Sequence, residues 1–125
     1  MTSPTARTGA VALALAAALA SAVLVPTTGA AVTPRAAREC RPPDYPGSGY
    51  FTSLTVRRTS CATGRKLALA YYRCRTRTGP AGRCNRRVMR FSCNEVRNSI
   101  ATEIDGRVRC KRGAARVTHT YQQNL

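Results

Sequence analysis

SCATGRKLALAYYRCR, residues 60–75, decides the fold. Ser60 is a helix-capping residue, because its hydroxyl can accept from a free N–H of the first turn. Stepping 100° per residue from Cys61 places Cys74, Leu67, Tyr71, Gly64, Ala68 and Cys61 on a stripe about 140° wide. Lys66 and Arg73 stand opposite, with Arg65 nearer the boundary. Leu69 falls on the basic side, outside the pattern. The spacing predicts an amphipathic helix from Ser60 to about Arg73, with a cysteine at each edge of its buried face. Gly64 costs about 1 kcal/mol relative to alanine in a helix interior, and a close approach to a neighbouring element would explain it.

Strand patterns flank this helix. In YFTSLTVRR, from Tyr50, apolar and polar residues alternate so that Leu54 and Val56 face inward. After the helix, RTRTGPAGR (75–83) is rich in turn residues. RVMRFSCNEV (87–96) alternates again and predicts a second strand. NSIATEID (98–105) is read as a connection. GRVRCKRG and AARVTHTYQQ (106–123) predict two further strands around a turn at Arg112-Gly113. That turn sets Val108 against Val117, Cys110 against Ala115 and Arg109 against Arg116, with apolar facing apolar on one side. Such a two-residue turn asks for positive φ at Arg112, which is unusual for arginine, and a longer loop around Gly113 is the alternative. The order is β-α-β-β-β, an α+β fold in which one helix packs on a small antiparallel sheet.

The sequence has 125 residues, so one domain is the limit. Residues 1–30 read as an export signal. Arg7 precedes an uncharged apolar run, Gly9 to Val25, and Thr28-Gly29-Ala30 offers a small-x-small cleavage site. Residues 31–49, with four prolines and two glycines, read as an irregular N-terminal arm, and residues 50–125 as the folded domain. Removing the signal takes away one of the 21 basic residues and none of the five acids, leaving a net charge of +15. The exported chain is then expected outside the cell, as a monomer with no membrane-spanning segment.

All six cysteines (Cys40, Cys61, Cys74, Cys84, Cys93 and Cys110) follow the signal. An even number in a small exported domain predicts three disulfides. Six cysteines allow fifteen pairings. Cys74–Cys84 is the best-supported pair, because it brackets the Gly79-Pro80 loop. Cys93–Cys110 follows if their strands are neighbours, which leaves Cys40–Cys61. No C-x-x-C pair is present, and His119 is the single histidine, so no zinc site is expected. Cys61 sits where a helix N-terminus could stabilise a thiolate, but its place in an even set assigns it to a disulfide.

Motifs for phosphate loops, dinucleotides, serine hydrolases and zinc proteases are missing, and no cofactor is implied. Two catalytic candidates remain. His119 could act as an acid or base beside Glu103, with Arg109 and Arg116 holding a phosphate. Small secreted bacterial ribonucleases use a glutamate, arginines and a histidine in that chain order. Here they fall within 17 residues, and the family's flanking motifs are missing.

The basic residues are the stronger feature. Arg107, Arg109 and Lys111 alternate outward on one strand, with Arg116 across from them. Arginine suits phosphate and carboxylate contacts. Aromatic residues are few outside the expected core, which argues against base stacking and against a specific nucleic-acid site. The expected partners are anionic polymers or envelope surfaces.

The stretch LTVRRTSCATGRKLALAYYR and the later VRCKRGAARVTHTYQQ hairpin resemble a group of small exported actinobacterial proteins. Those share an S-C-A-T-[AG]-R helix start, matched by Ser60 to Arg65, and a terminal hairpin bearing a cysteine, matched by Cys110. The resemblance implies secretion and an α+β fold. It brings no activity, cofactor or catalytic residue.

Three functional readings follow. The first is a secreted, disulfide-stapled, strongly basic binding protein rather than an enzyme. The second is a phosphodiester hydrolase using His119. The third is an inhibitor or toxin-like module presenting the loop Arg75 to Arg83.

Overall fold

A computed structural model describes residues 35–125 together with Gly29. Gly29 apart, the export signal read over residues 1–30 and the first four residues of the arm lie outside this described part. The elements are β1 (Arg38–Glu39), β2 (Gly49–Arg57), α1 (Cys61–Arg75), β3 (Ser92–Ile100), β4 (Glu103–Arg112) and β5 (Ala115–Asn124). They form one antiparallel sheet in the order β1-β2-β5-β4-β3, with α1 packed on one face. The α+β arrangement and the β-α-β-β-β order are those expected. The addition is β1, which the arm contributes by pairing with β2 at Val56 and Thr55.

The helix forms as its sequence indicates. The Ser60 hydroxyl accepts from the Thr63 N–H at 3.0 Å, and Gly64, Leu67, Ala68, Tyr71 and Cys74 are buried. A Cβ on Gly64 would lie 2.7 Å from a Val56 methyl. This glycine therefore lets α1 lie down on β2. The helix runs two residues past Arg73, and Arg75 closes it on the buried side.

Leu54 and Val56 of β2, Ile104 and Val108 of β4, and Val117 and Tyr121 of β5 fill the core under the helix with Leu67, Tyr71 and Phe91. Glycine decides one contact inside it. A Cβ on Gly106 would meet the Tyr121 ring at 2.3 Å, so the bare backbone of β4 is what the ring lies against.

All six cysteines are paired, as Cys40–Cys61, Cys74–Cys84 and Cys93–Cys110. The first ties the arm to the start of α1. The second closes the loop after the helix. The third links β3 to β4 at directly opposed positions. Three such bridges fit an oxidising compartment. Among the described residues, no helix is long and apolar enough to cross a membrane.

Three boundaries differ from the sequence reading. The second long strand starts at Ser92 rather than near Arg87, because Met89 and Arg90 take positive φ (49° and 66°) and form a tight turn closed by Val88 and Phe91. The segment read as a connection is strand on both sides of Ala101-Thr102, since Ile100 pairs with Glu103. The terminal hairpin turns at Gly113-Ala114, not Arg112-Gly113, because Gly113 is the residue that takes positive φ (54°). This slides β5 by two positions, so Val108 faces His119, Cys110 faces Val117, and Lys111 faces Arg116. Side chains alternate with a period of two, so a two-residue slip keeps every side chain on its expected face.

Candidate anion-binding face

The helix covers one face of the sheet, and on the other the strands present polar residues to solvent. β4 places Ile104, Gly106, Val108 and Cys110 inward, so Arg107, Arg109 and Lys111 must point outward. On β5 the same alternation turns Arg116, Thr118 and Thr120 outward, and on β2 it turns out Ser53, Thr55 and Arg57.

Register brings these side chains into rows across the sheet. One row reads Arg57, Arg116, Lys111 and Ser92. The next reads Thr55, Thr118, Arg109 and Asn94, and a third Ser53, Thr120, Arg107 and Val96. Rows lie about 6.8 Å apart along a strand, and neighbouring strands about 4.8 Å apart. The four residues expected to hold anions, Arg107, Arg109, Lys111 and Arg116, thus share one surface. Arg109 faces Thr118 rather than Arg116, which corrects the predicted opposition.

Arg57 is the member that sequence reasoning missed. Its outward phase was visible in the alternation of β2. What the sequence does not display is that β2 lies beside β5. A recess of about 710 Å³ opens on this face across β2, β5, β4 and β3, lined by Thr55, Arg57, Asn94, Arg109, Lys111 and Arg116, among others.

Like charges directly across a sheet repel each other. Arg116 has a cation on each side of it in its row, and its own guanidinium turns to the Gly113 and Ala115 carbonyls. Among the described residues, both ion pairs go to Glu95, so none of the five outward cations has a carboxylate partner. Glu39, on β1, stands at the far rim of the Thr55 row.

The inner face also holds charge, but it is enclosed. Arg75 is 1 % exposed. Its guanidinium donates to the Pro80 carbonyl at 3.0 Å, to the Tyr45 hydroxyl and to Gln123 Oε1, and lies 4.3 Å over the Tyr121 ring. Arg97 donates to the Ala81 and Gly82 carbonyls at 2.9 and 2.8 Å and to Glu95 at 2.6 Å. The Tyr121 hydroxyl donates to the other oxygen of Glu95. Burial pushes the Tyr45 and Tyr71 hydroxyls up to about 12, and the Glu95 carboxylate adds to this at both. Arg75 is therefore a structural residue, although its sequence places it in a run of surface-like basic residues from Arg73 to Arg77.

His119 lies within this core. It is 1 % exposed, edge-on to Phe51 and Tyr71, and Nδ1 has no hydrogen-bond partner. Burial, with a smaller contribution from the Arg75 charge, pulls its pKa down to about 3. Glu103 is not beside it. His119 faces Val108, whereas Glu103 faces Asn124. The two positions are five residues apart on β4, about 17 Å. Arg109 and Arg116 point out of the opposite face. The four residues of the hydrolase reading thus do not converge.

The loop after α1 is fastened inward as well. Its Pro80, Ala81 and Gly82 carbonyls accept from Arg75, Gln123 and Arg97. No group of three or more His, Cys, Asp or Glu residues is placed to hold a metal among the described residues. No protein family, curated protein or solved structure matches the chain.

Proposed function

We propose that this chain is an exported protein that binds polyanions at the cell envelope through the open face of its sheet. One observation carries the reading. Five cations from three neighbouring strands share the uncovered face, with no carboxylate partner among the described residues. A bound phosphate or sulfate between Arg57, Arg116 and Lys111 would replace repulsion by charge-assisted hydrogen bonds. The contacts available are guanidinium, ammonium, hydroxyl and amide groups, which recognise a backbone of anions and not a sequence of bases. The three disulfides suit such a role outside the cell, where a small core needs covalent support.

Titrating the oxidised protein with heparin and with duplex DNA at several salt concentrations tests this. Binding should be independent of DNA sequence and should weaken steeply as salt rises, with a log–log slope near −0.9 per phosphate neutralised. Absence of binding at low salt would leave the charge without a function. Hydrolysis of labelled RNA by the protein, lost in His119→Ala, would instead favour the hydrolase reading.

A further inference from the structure

The two edges of the sheet are finished differently. At one edge, β1 and the Cys40–Cys61 bridge cover β2. The other edge is β3, which among the described residues pairs with β4 on one side only. It is nine residues long and pairs without a bulge. It has no proline and no lysine. Edge strands usually carry such features to prevent pairing with another chain. Instead Val96 and Ile100 stand on its outer side, 65 % and 62 % exposed.

Which backbone groups point off this edge can be read from the disulfide. Cys93 and Cys110 are directly opposed with a Cα separation of 4.0 Å. In antiparallel pairs the narrow spacing, about 4.5 Å, belongs to residues that do not exchange hydrogen bonds with each other. Cys93, Glu95, Arg97 and Ser99 therefore turn their N–H and C=O groups away from β4, toward the free edge. Among the described residues no backbone partner meets them there.

The first half of the edge is flanked. Arg83, Arg86 and Arg87 line a recess with Ser92 to Glu95. The second half, Val96 to Ile100, is open. Its one charge, Arg97, is directed inward to Glu95 and the Ala81 and Gly82 carbonyls. This segment is uncharged toward a neighbour, in a chain whose exported part is +15.

We infer that the Val96–Ile100 edge pairs antiparallel with the same segment of a second copy, about a two-fold axis at Asn98. This register follows from parity and from apolar matching. With the axis at Asn98, Arg97 and Ser99 exchange backbone hydrogen bonds with Ser99 and Arg97 of the other copy. Val96 then faces Ile100 twice, once on each side of the axis. An axis at Val96 would instead drive Ile100 onto Ser92, beside the arginines of residues 83–87. The interface is self-complementary, as a two-fold contact must be. It joins two sheets into one of ten strands and extends the cationic face across the axis. It does not depend on what that face binds.

The contact is short, and the two copies repel each other. Salt shortens the reach of that repulsion from about 10 Å at 0.1 M to about 3 Å at 1 M. Self-association should therefore strengthen with salt, whereas polyanion binding weakens. Sedimentation equilibrium of the oxidised protein at both salt concentrations should show a monomer–dimer equilibrium that tightens at 1 M. Val96→Lys should weaken it by about tenfold or more with unchanged thermal melts. Under mild oxidation Asn98→Cys should give a cross-linked dimer, since its two copies would face each other as Cys93 and Cys110 do, and Asn94→Cys should not. A monomer at 1 M salt with no Asn98→Cys cross-link would overturn the inference. So would a dimer indifferent to Val96→Lys, or an edge that takes up only an extended segment of a different protein.

Discussion

On the inner face of the sheet, Glu95 meets Arg97 at 2.6 Å, with 3 % and 5 % of their side-chain surfaces open to solvent. On the outer face, Arg116 stands between Arg57 and Lys111, with no carboxylate beside it. The same residue types, on β3 and α1 inside and on β2, β4 and β5 outside, therefore do opposite work. Inside, each guanidinium has a fixed set of acceptors, and the charge holds the post-helix loop and the arm to the core. Outside, charge is displayed in excess of any internal need. Removing charge should consequently cost stability on the inner face and cost binding, but not stability, on the outer one.

Glu95→Gln breaks the inner arrangement most directly. It leaves the Arg97 guanidinium buried without its counter-charge, and removing one partner of a buried pair typically costs about 3–5 kcal/mol. Arg83, 3.8 Å from the same carboxylate, loses its counter-charge too, but it is half exposed and water compensates it. Urea denaturation of the oxidised protein should show a lowered midpoint. A change below about 1 kcal/mol would mean that the Ala81 and Gly82 carbonyls alone satisfy Arg97.

The next largest effect is acid sensitivity from His119. Its folded pKa is about 3, against about 6.5 for an unfolded histidine. Above pH 6.5 both states are neutral, and the full stability is present. As pH falls toward 3 the unfolded chain takes up a proton that the folded chain refuses. Stability is then lost at up to about 1.4 kcal/mol per pH unit from this group. His119→Phe removes that difference. Its stability relative to the native protein should rise steadily in melts taken from pH 7 to pH 4. A constant offset across that range would show that the folded histidine titrates normally.

Gly106→Ala probes the packing between the two charge networks. The added methyl meets the Tyr121 ring, whose hydroxyl bonds Glu95 and whose face lies under Arg75. Overpacking of this kind costs about 1–3 kcal/mol. Near-ultraviolet circular dichroism should report the displaced tyrosine together with a lower melting temperature.

These inner and outer assignments were unequally legible in the sequence. Parity of alternation was enough to sort β4 and β5 into faces, and it survived an error in the hairpin turn because the slip was even. The helix was legible from Ser60 and the apolar stripe. Arg75 was not, although stepping the same 100° two residues further places it between Gly64 and Ala68, on the buried side. Ending the helix at Arg73 concealed it. The turn at Met89-Arg90 had no local signal, since neither residue is one that favours positive φ. Arg57 needed a long-range fact, that β2 pairs with β5. His119 at the core centre also needed this, because α1 packs over those two strands.

The smallest expected effect on stability is the most informative about function. Arg109 and Lys111 point outward from neighbouring rows, and their side chains make no hydrogen bond or ion pair with the described chain. Arg116 is less suitable, since its guanidinium braces the hairpin turn. Changing Arg109 and Lys111 to Gln removes two unpartnered charges, one of them opposite Arg116. Melting should stay the same or rise by about 0.5 kcal/mol or less, as like charges across a sheet are separated. The salt dependence of polyanion binding should meanwhile fall by about two units in its log–log slope, because two fewer counterions are released per contact. An unchanged slope with weaker melting would reverse the assignment of the two faces. An unchanged slope with unchanged melting would move the contact surface to the exposed basic residues of α1 and its loop, such as Arg65, Lys66 and Arg73.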